Sequence, residues 1–469
     1  MPRSLIFASV ALAALAAACA SPPSPDEASS LQTIPDTYAE AATNTAAQPE
    51  AEWWRGFGDE TLNQLVARAL TENRDLRAAE AEVRRARALA GIEGWRLLPS
   101  SNVSAGSGRA REINPVAEYD FAAAGADISW ELDVFGRLRH GARAAGREAL
   151  SVEEARRGVR VAIATETAVA YASLRGAQMR LAAARANAES QRQTLIRSEA
   201  LRDAGRANPF DVARAREQYE TTTAAVATIE GELAAARNAL DVLVMGLPAE
   251  LDLSPAAPPT PPESFDLGSP EELLQRRPDI RRARAVLEAA TARTDAARVD
   301  WWPRLSLFGV ASWTGADFGA VGGSDGFSFT VGPRIDWPAL DFRRNALRVE
   351  AARANAEAEF HRYDQIVYAA VRDVETALAS LRAATLAAES SARAAEAARE
   401  AARISRLRYQ EGMESFFSVL DSDRRAAEAE DRLALASARR AIAYARLGQA
   451  LGVGWESEAR AGVRNEANL

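Results

Sequence analysis

The chain of 469 residues is poor in the residue types that cross-link proteins, bind metals or bind nucleic acids. It has one cysteine, which rules out an internal disulfide framework. Its two histidines, His140 and His361, lie in stretches expected to be helical and join no metal-ligand or triad pattern. The formal net charge is −8 and no basic run stands out, which argues against a nucleic-acid partner. The sequence therefore predicts no enzyme, no metal site and no cofactor.

Long apolar runs are also missing after the N-terminus, so no transmembrane helix is expected there, and any crossing of a membrane would use strands. Residues 1–18 have the arginine and short apolar run of an export signal peptide. The segment Leu15 to Cys19 resembles a bacterial lipobox, which would make Cys19 the lipidated N-terminus of the mature protein; the alternative is an ordinary secretory signal with an incidental cysteine. Residues 19–50, rich in Pro, Ser, Ala and Thr, are expected to form an extended tether.

A short stretch with a period of two interrupts a chain that otherwise has helical patterning. Residues 304–313 and 327–337 each alternate between a more apolar and a more polar set, which predicts a β-hairpin. An earlier pair at 101–108 and 124–133 has the same pattern, although 101–108 is small and polar and is the weakest of the four predicted strands. Because an isolated hairpin is marginal in water, these strands need further partners.

The chain is an internal duplication with a spacing of about 204 to 207 residues. Residues 51–250 form the first predicted repeat and 271–455 the second, with a Pro-rich linker at 251–270 and a tail at 456–469. The matched pairs are Asn73 with Arg277, Trp130 with Trp337, Phe135 with Phe342, Gly205 with Gly412, and Phe210 with Phe417. Each repeat is therefore predicted to be a helix, a hairpin, a long helix and a return helix.

The long helices are predicted at Arg137 to Ala204 and Arg343 to Glu411, and the second contains neither proline nor glycine. At a rise of 1.5 Å per residue each would be about 100 Å long. The predicted entering helices (59–98 and 270–302) and return helices (209–246 and 415–447) each cover about half that length. Laid end to end beside the long helix, they would complete a two-helix rod.

Two hairpins give four strands per chain, fewer than the roughly eight strands of the smallest membrane barrels. Association of chains would close the sheet, and three chains would supply twelve strands. A closed barrel is also the strand arrangement that leaves no unpaired backbone in lipid.

Several local motifs carry a resemblance to a known family. They are Trp53-Trp54 with Phe57 and Asp59, Asn73-Arg74-Asp75-Leu76, Arg277-Pro278-Asp279-Ile280, Asp133 to Arg137, and Gly412 to Asp421. Together they resemble the TolC-like outer-membrane efflux proteins, of the NodT/OprM-type lipoprotein branch. The resemblance implies a homotrimer, mainly α-helical with a membrane β-barrel of twelve strands that continues as a helical tunnel in the periplasm. It further implies a periplasmic adaptor and an inner-membrane pump of the RND type as partners.

The family also implies a gate where the two long-helix turns converge. Tyr409, Asp421 and Asp211 match the family's gate positions, and threefold repetition of the two acids would give a ring of carboxylates. Glu414 and Ser418 depart from the family pattern, which puts a tyrosine–arginine latch in doubt. The alternative is that the acids only stabilise helix starts.

Trp130, Trp313 and Trp337 are candidates for an aromatic belt at a membrane edge. A periplasmic coiled-coil adaptor or scaffold lipoprotein is the competing function, but the chain lacks the lipoyl-like β halves of such adaptors. The expected function is an outer-membrane duct of a tripartite efflux system, lipid-anchored and extending into the periplasm. The transported substrate does not follow from the sequence.

Overall fold

The computed structural model describes residues 37–38, 51–113, 116–206, 208–248, 253–263, 266–319 and 321–455. The predicted signal peptide (1–18), Cys19, nearly all of the tether and the tail (456–469) lie outside the described residues. The chain divides into two compact units. We call Ala81–Glu154 with Arg281–Ile366 the sheet unit, and the described residues of Gln32–Glu80, Ala155–Ile280 and Val367–Leu469 the helical unit.

Helices dominate, and the strands come as two hairpins, one in each half of the chain. The main elements are α1 Glu60–Glu72, α2 Arg74–Trp95, β1 Ser100–Ile113, β2 Val116–Leu132, α3 Arg137–Asp203, α4 Pro209–Leu243, α5 Pro278–Val299, β3 Arg304–Gly315, β4 Phe327–Asp336, α6 Phe342–Gln410 and α7 Phe416–Leu451. Short helical turns also occur at Trp53–Phe57, Pro270–Glu272, Leu273–Arg276 and Ser324–Gly326. The duplicated order helix, hairpin, long helix, return helix is therefore confirmed.

The four strands form one antiparallel sheet in the order β1-β2-β3-β4. The register places Ala124 opposite Trp313, which in turn lies opposite Phe327, so these three side chains share one face. The other members of this apolar face include Val103, Ala126, Ile128, Trp130, Leu305, Leu307, Ala311, Phe329, Val331 and Ile335. The opposite, polar face includes Asn102, Ser104, Asp127, Ser129, Ser306, Ser312, Thr314, Ser328, Thr330 and Arg334. The predicted alternation thus holds in the predicted strands, although Phe308 and Val310 lie on the polar face. In the longer first hairpin, Arg109 and Asp120 have the parity of the apolar face.

The first hairpin is longer than the prediction of 101–108 and 124–133. β1 extends to Ile113 and β2 begins at Val116, with Arg109 and Asp120 paired side by side across the strands at 2.8 Å. Small residues gave a weak strand signal, because their preference for a strand depends on the neighbours they pack against and not on the backbone alone.

The prediction of one continuous entering helix at 59–98 and another at 270–302 is wrong, because each helix is interrupted. The first breaks at Asn73, whose side-chain oxygen accepts the N–H of Asp75 and so starts α2 afresh. The second breaks at Arg277, which is extended with ψ 122° because Pro278 disfavours a helical residue before it. The Asn73 side chain donates to the carbonyl of Leu243 at the end of α4.

The core of the helical unit contains an aromatic cluster. Trp53, Phe57 and Tyr444 pack edge to face, and the rings of Phe57 and Tyr444 are 5.0 Å apart. Gly448 lets the Trp53 ring approach, since a Cβ there would lie 2.8 Å from it. Through this cluster, the short helical turn Trp53–Phe57 packs against α7. Among the described residues, no helix is both long enough and apolar enough to span a membrane.

Candidate functional site

The turns from each long helix to its return helix are built alike. Helices α3 and α6 are followed by Gly205 and Gly412, with φ of 69° and 73°. In this left-handed conformation a side chain would be strained. In the second turn, the N–H of Met413 reaches back to the carbonyl of Arg408 at 2.9 Å, which closes the helix end. The predicted turn positions are therefore confirmed.

The return helices are capped by Asn208 and Ser415. The Asn208 side chain accepts the N–H of Phe210 at 3.0 Å, and the Ser415 hydroxyl accepts the N–H of Ser418 at 3.2 Å. Neither cap is one of the acids singled out from the sequence. Asp211 nevertheless lies in the first turn of α4, where its charge is favourable to the helix.

Tyr409 lies one residue before the end of α6 and is half-buried. Its ring packs against that of Phe416, with 5.6 Å between centroids, and its backbone carbonyl accepts the N–H of Gly412. Glu414, which departs from the family pattern, lies 3.5 Å from Arg408. Tyr409 is thus held in its own turn by an aromatic contact.

Asp421 is bound by two arginines of its own helix. Its carboxylate oxygens lie 2.7 Å from Arg424 and 2.8 Å from Arg425. The Arg424 guanidinium, assisted by that of Arg425, holds the pKa of the Asp421 carboxyl below its usual value. The acid is therefore ionised, and because Arg424 also binds Glu428 at 2.7 Å, two acids and two arginines balance in this cluster. In the described chain, Asp421, Tyr409 and Asp211 form no hydrogen bond or ion pair with one another.

Arg214 joins the two turns, and sequence reasoning missed it. Its guanidinium lies 5.4 Å from the ring centre of Phe210 on its own helix and 4.5 Å from that of Phe417 on α7. Both distances suit a cation–π contact. The sequence contained a signal, because Phe210 and Phe417 match each other in the repeat and Arg214 matches Asp421. The first repeat thus has a cation where the second has an anion.

A second exchange of charge lies two residues further along the return helices. In the first repeat, Glu199 of α3 pairs with Arg216 of α4 at 2.7 Å. At the equivalent positions of the second repeat, Arg406 of α6 pairs with Asp423 of α7 at 2.9 Å. Burial raises the pKa of Asp423 above its usual value, although Arg406 acts in the opposite direction.

The three predicted belt tryptophans lie at the ends of the strands. Trp130 and Trp337 are near the ends that adjoin the helices, and their indole N–H groups donate to the carbonyls of Leu97 and Trp301. Trp313 lies near the opposite end of β3 and packs against Phe327 with 4.9 Å between ring centres. Trp130 is level with Leu307, six positions before Trp313, so the two levels are about 20 Å apart along the strand.

Cys19 lies outside the described residues. Within the part of the chain that the structure covers, no three His, Cys, Asp or Glu side chains gather as a metal site would require.

Comparison with known proteins gives consistent relatives. The family model described as "Outer membrane efflux protein" matches residues 65–245 and 269–453. The toluene efflux pump outer membrane protein TtgF of Pseudomonas putida is 30% identical over 451 residues, 93% of each chain. Outer membrane protein OprJ of Pseudomonas aeruginosa is 30% identical over 440 residues, which cover 90% of this chain and 91% of that protein.

Solved structures agree with these relatives. The outer-membrane channel OprN has a TM-score of 0.83 at 33% identity, with 90% of this chain and 97% of that one covered. The open state of the MtrE outer membrane channel of Neisseria gonorrhoeae has a TM-score of 0.82 at 26% identity, with 93% and 97% covered. The chain therefore belongs to the outer membrane efflux protein family, the channels through which efflux systems open at the outer membrane.

Proposed function

We propose that three copies of the chain form a passive exit duct of a tripartite efflux system. Their sheets close a twelve-stranded barrel in the outer membrane, and their helices form a tunnel in the periplasm. The duct performs no chemistry on its cargo, and the proposal includes no catalytic residue, metal or cofactor.

The sheet carries this proposal. It has an apolar face, on which Phe329 and Val331 are 70% and 74% exposed, and a polar face with serine, threonine and arginine. Among the described residues, β1 and β4 each pair on one side only. Unpaired edges are intolerable in lipid, so a sheet with an apolar face and two free edges suits closure with other copies. Three copies give the twelve strands of the proposed barrel.

The tryptophans suit the same placement. Aromatic side chains collect at the two membrane–water interfaces, and the outward apolar band of such barrels is about 25 Å tall. Trp130 and Trp337 would lie at the periplasmic edge, and Trp313 at the outer edge. The loop between β3 and β4 would then face outside.

The partners are proposed from the function. A duct without an energy source needs an inner-membrane pump, here an RND-type pump, and a periplasmic adaptor that links the two. Lipidation of Cys19 would add an anchor in the outer-membrane lipid. TtgF is named for toluene and CusC of Escherichia coli for cations, so small toxic molecules as a class are proposed as cargo here.

We place the periplasmic gate at the two turns, with Tyr409, Asp421 and Asp211 as its residues. Asp421 and Glu428 with Arg424 and Arg425 give each copy an ion-pair cluster there. Replacing Asp421 with alanine would release Arg425, leave Arg424 with Glu428 alone, and add one positive charge per copy. We therefore expect altered single-channel conductance and altered cation block in planar bilayers. Unchanged conductance and block would refute a role for Asp421 in the gate.

Fractionation tests the duct itself. The expected result is a trimer in the outer membrane that changes its mobility on gels after heating and forms channels in planar bilayers. A soluble periplasmic monomer would refute the proposal and favour a scaffold lipoprotein. Radiolabelling with palmitate tests the anchor separately: the wild-type chain should incorporate label and the Cys19→Ser variant should not.

A further inference from the structure

In the helical unit, a contact between the two repeats has no counterpart among the described residues. Helix α3 of the first repeat packs against α7 of the second, where a Cβ on Gly176 would lie 2.7 Å from the Cβ of Ala438. A few residues away, Arg180 of α3 binds Asp431 of α7 at 2.6 Å. The two helices run antiparallel, because the contacts ascend along α3 and descend along α7.

The equivalent positions in the other repeat are found by adding 207 to a residue number of the first repeat or subtracting 207 from one of the second. Gly176 corresponds to Ala383 on α6, and Ala438 corresponds to Gly231 on α4. The same shift relates Gly205 to Gly412 and the pair Glu199–Arg216 to Arg406–Asp423. Thus the counterpart keeps one glycine and one alanine but exchanges their helices.

The counterpart positions are uncovered in the single chain. Gly231 and Ala383 are both exposed, and nothing lies within 4 Å of a Cβ on Gly231. Their neighbours on the same faces are small or polar and exposed: Thr376, Ser380, Ala387 and Ser390 on α6, and Ala224, Ala227, Ala234 and Asn238 on α4. The equivalent residues of α3 and α7 are buried or half-buried: Val169, Ser173, Arg180, Ala183, Asp431, Ala434, Ala441 and Ala445. The two repeats therefore differ in burial where they match in position.

Gly231 makes this difference informative. A glycine in an exposed helix interior costs about 1 kcal/mol relative to alanine, and no contact within the described chain explains it. The buried stripe of α4, represented by Thr222, Ile229 and Leu240, lies about 160–180° around the helix from Gly231 at 100° per residue. One side of α4 is thus packed within the chain, and the side with the glycine faces away from it.

Charge complementarity supports the same pairing. Eleven residues before Gly231, on the same face of α4, is Glu220, and ten residues after Ala383, at the flank of its face on α6, is Arg393. An antiparallel contact that places Ala383 on Gly231 brings this acid and this arginine to the same level. Both are exposed, and neither has an ion-pair partner among the described residues.

We propose that α6 of one copy packs antiparallel against α4 of a second copy, with Ala383 on Gly231 and Arg393 beside Glu220. The joint is heterologous, since one copy contributes α6 and the next contributes α4, and such joints close into a ring when the rotation permits. The glycine allows the helices to approach closely, as Gly176 does within the chain. This inference rests on the proposed trimeric duct and specifies which faces and which register hold it together.

Cysteine cross-linking tests the register in the intact protein. The double variant Gly231→Cys with Ala383→Cys should give covalent dimers and trimers on non-reducing gels after mild oxidation in outer membranes, because a disulfide needs Cβ atoms about 3.5–4.5 Å apart. The matched control, Ala225→Cys with Ala383→Cys, moves the first cysteine about 120° around α4 and should give monomer. The parent chain, in which Cys19 is the single cysteine, shows whether Cys19 by itself forms cross-links.

The outcomes separate the two proposals. If the parent protein is a monomer by native mass spectrometry, the trimeric duct fails. If the parent is a trimer but the Gly231/Ala383 pair remains uncross-linked, or the control pair links equally well, the duct stands and the proposed register is overturned.

A charge exchange provides a second readout. The single variants Arg393→Glu and Glu220→Arg should each lower the temperature at which the trimer dissociates in detergent, and the double variant should restore it. Failure of the double variant to recover any of the loss would contradict the pairing. Gly231→Leu should abolish the trimer, whereas Ala225→Leu, also on exposed α4 surface, should retain it.

Discussion

Arg214 offers a direct test of how the two turns are held together. The arginine touches both Phe210 of its own repeat and Phe417 of the other. Replacing Arg214 with alanine removes both contacts and leaves two exposed rings without a common partner. We therefore expect the turns to separate more readily, so that the gate opens more often.

The size of the effect follows from the exposure of the rings. Phe210 and Phe417 are 60% and 53% exposed, and a cation–π contact at such a site is worth about 0.5–1 kcal/mol. A loss of about 1 kcal/mol changes a two-state population about fivefold. Single-channel recording in planar bilayers measures this as the fraction of time in which the channel is open.

Two variants serve as controls. Arg214→Lys keeps the charge but loses the planar stacking of the guanidinium, so an intermediate open fraction is expected. Arg237→Ala removes an arginine of the same helix that has no ring or ion-pair partner among the described residues, and it should leave the open fraction unchanged. An open fraction that is the same in Arg214→Ala as in the parent channel would refute the reasoning.

The sheet, the buried acid and the close helix contact give three further expectations. Val331→Arg on the apolar face should reduce the amount of heat-modifiable trimer in outer membranes, because a cation in the lipid-facing band costs about 2–4 kcal/mol, whereas Thr330→Arg on the polar face should not. Asp423→Asn should raise the unfolding temperature at pH 7. The raised pKa of Asp423 means that the folded state favours the protonated acid, so the stability of the parent protein falls as pH rises through that pKa. The gain from the substitution should therefore vanish well below pH 3.8, and an equal gain there and at pH 7 would contradict this. Gly176→Leu should lower the unfolding temperature by an amount that corresponds to about 1–3 kcal/mol, since the new side chain would collide with Ala438, and an unchanged temperature would show that the helices move apart freely.

The sequence predicted correctly those strands and helices that have a regular local pattern of residues. The alternation along β4 placed Phe327 and Phe329 on the apolar face, and the register confirms it. The absence of proline and glycine between 343 and 411 predicted α6 to within one residue at each end. Both signals are local, since period and helix breakers act within a few residues.

The missed features depend on contacts between distant residues. The break at Asn73 is stabilised by a hydrogen bond to Leu243, 170 residues away, which no window of sequence contains. The length of β1 depends on pairing with β2 and not on the preferences of Gly and Ser. Arg214 became visible as a site residue only once folding brought Phe417 beside it.

The ion pairs with exchanged polarity bear on how a duplicated chain folds correctly. Because the two long helices are similar, either one could turn into the return helix position of the other repeat. In that case Glu199 would face Asp423 and Arg406 would face Arg216, so both mispaired junctions would bring like charges together. The exchange therefore disfavours swapped return helices at the turns, although α3 does contact α7 further along, at Gly176 and Ala438.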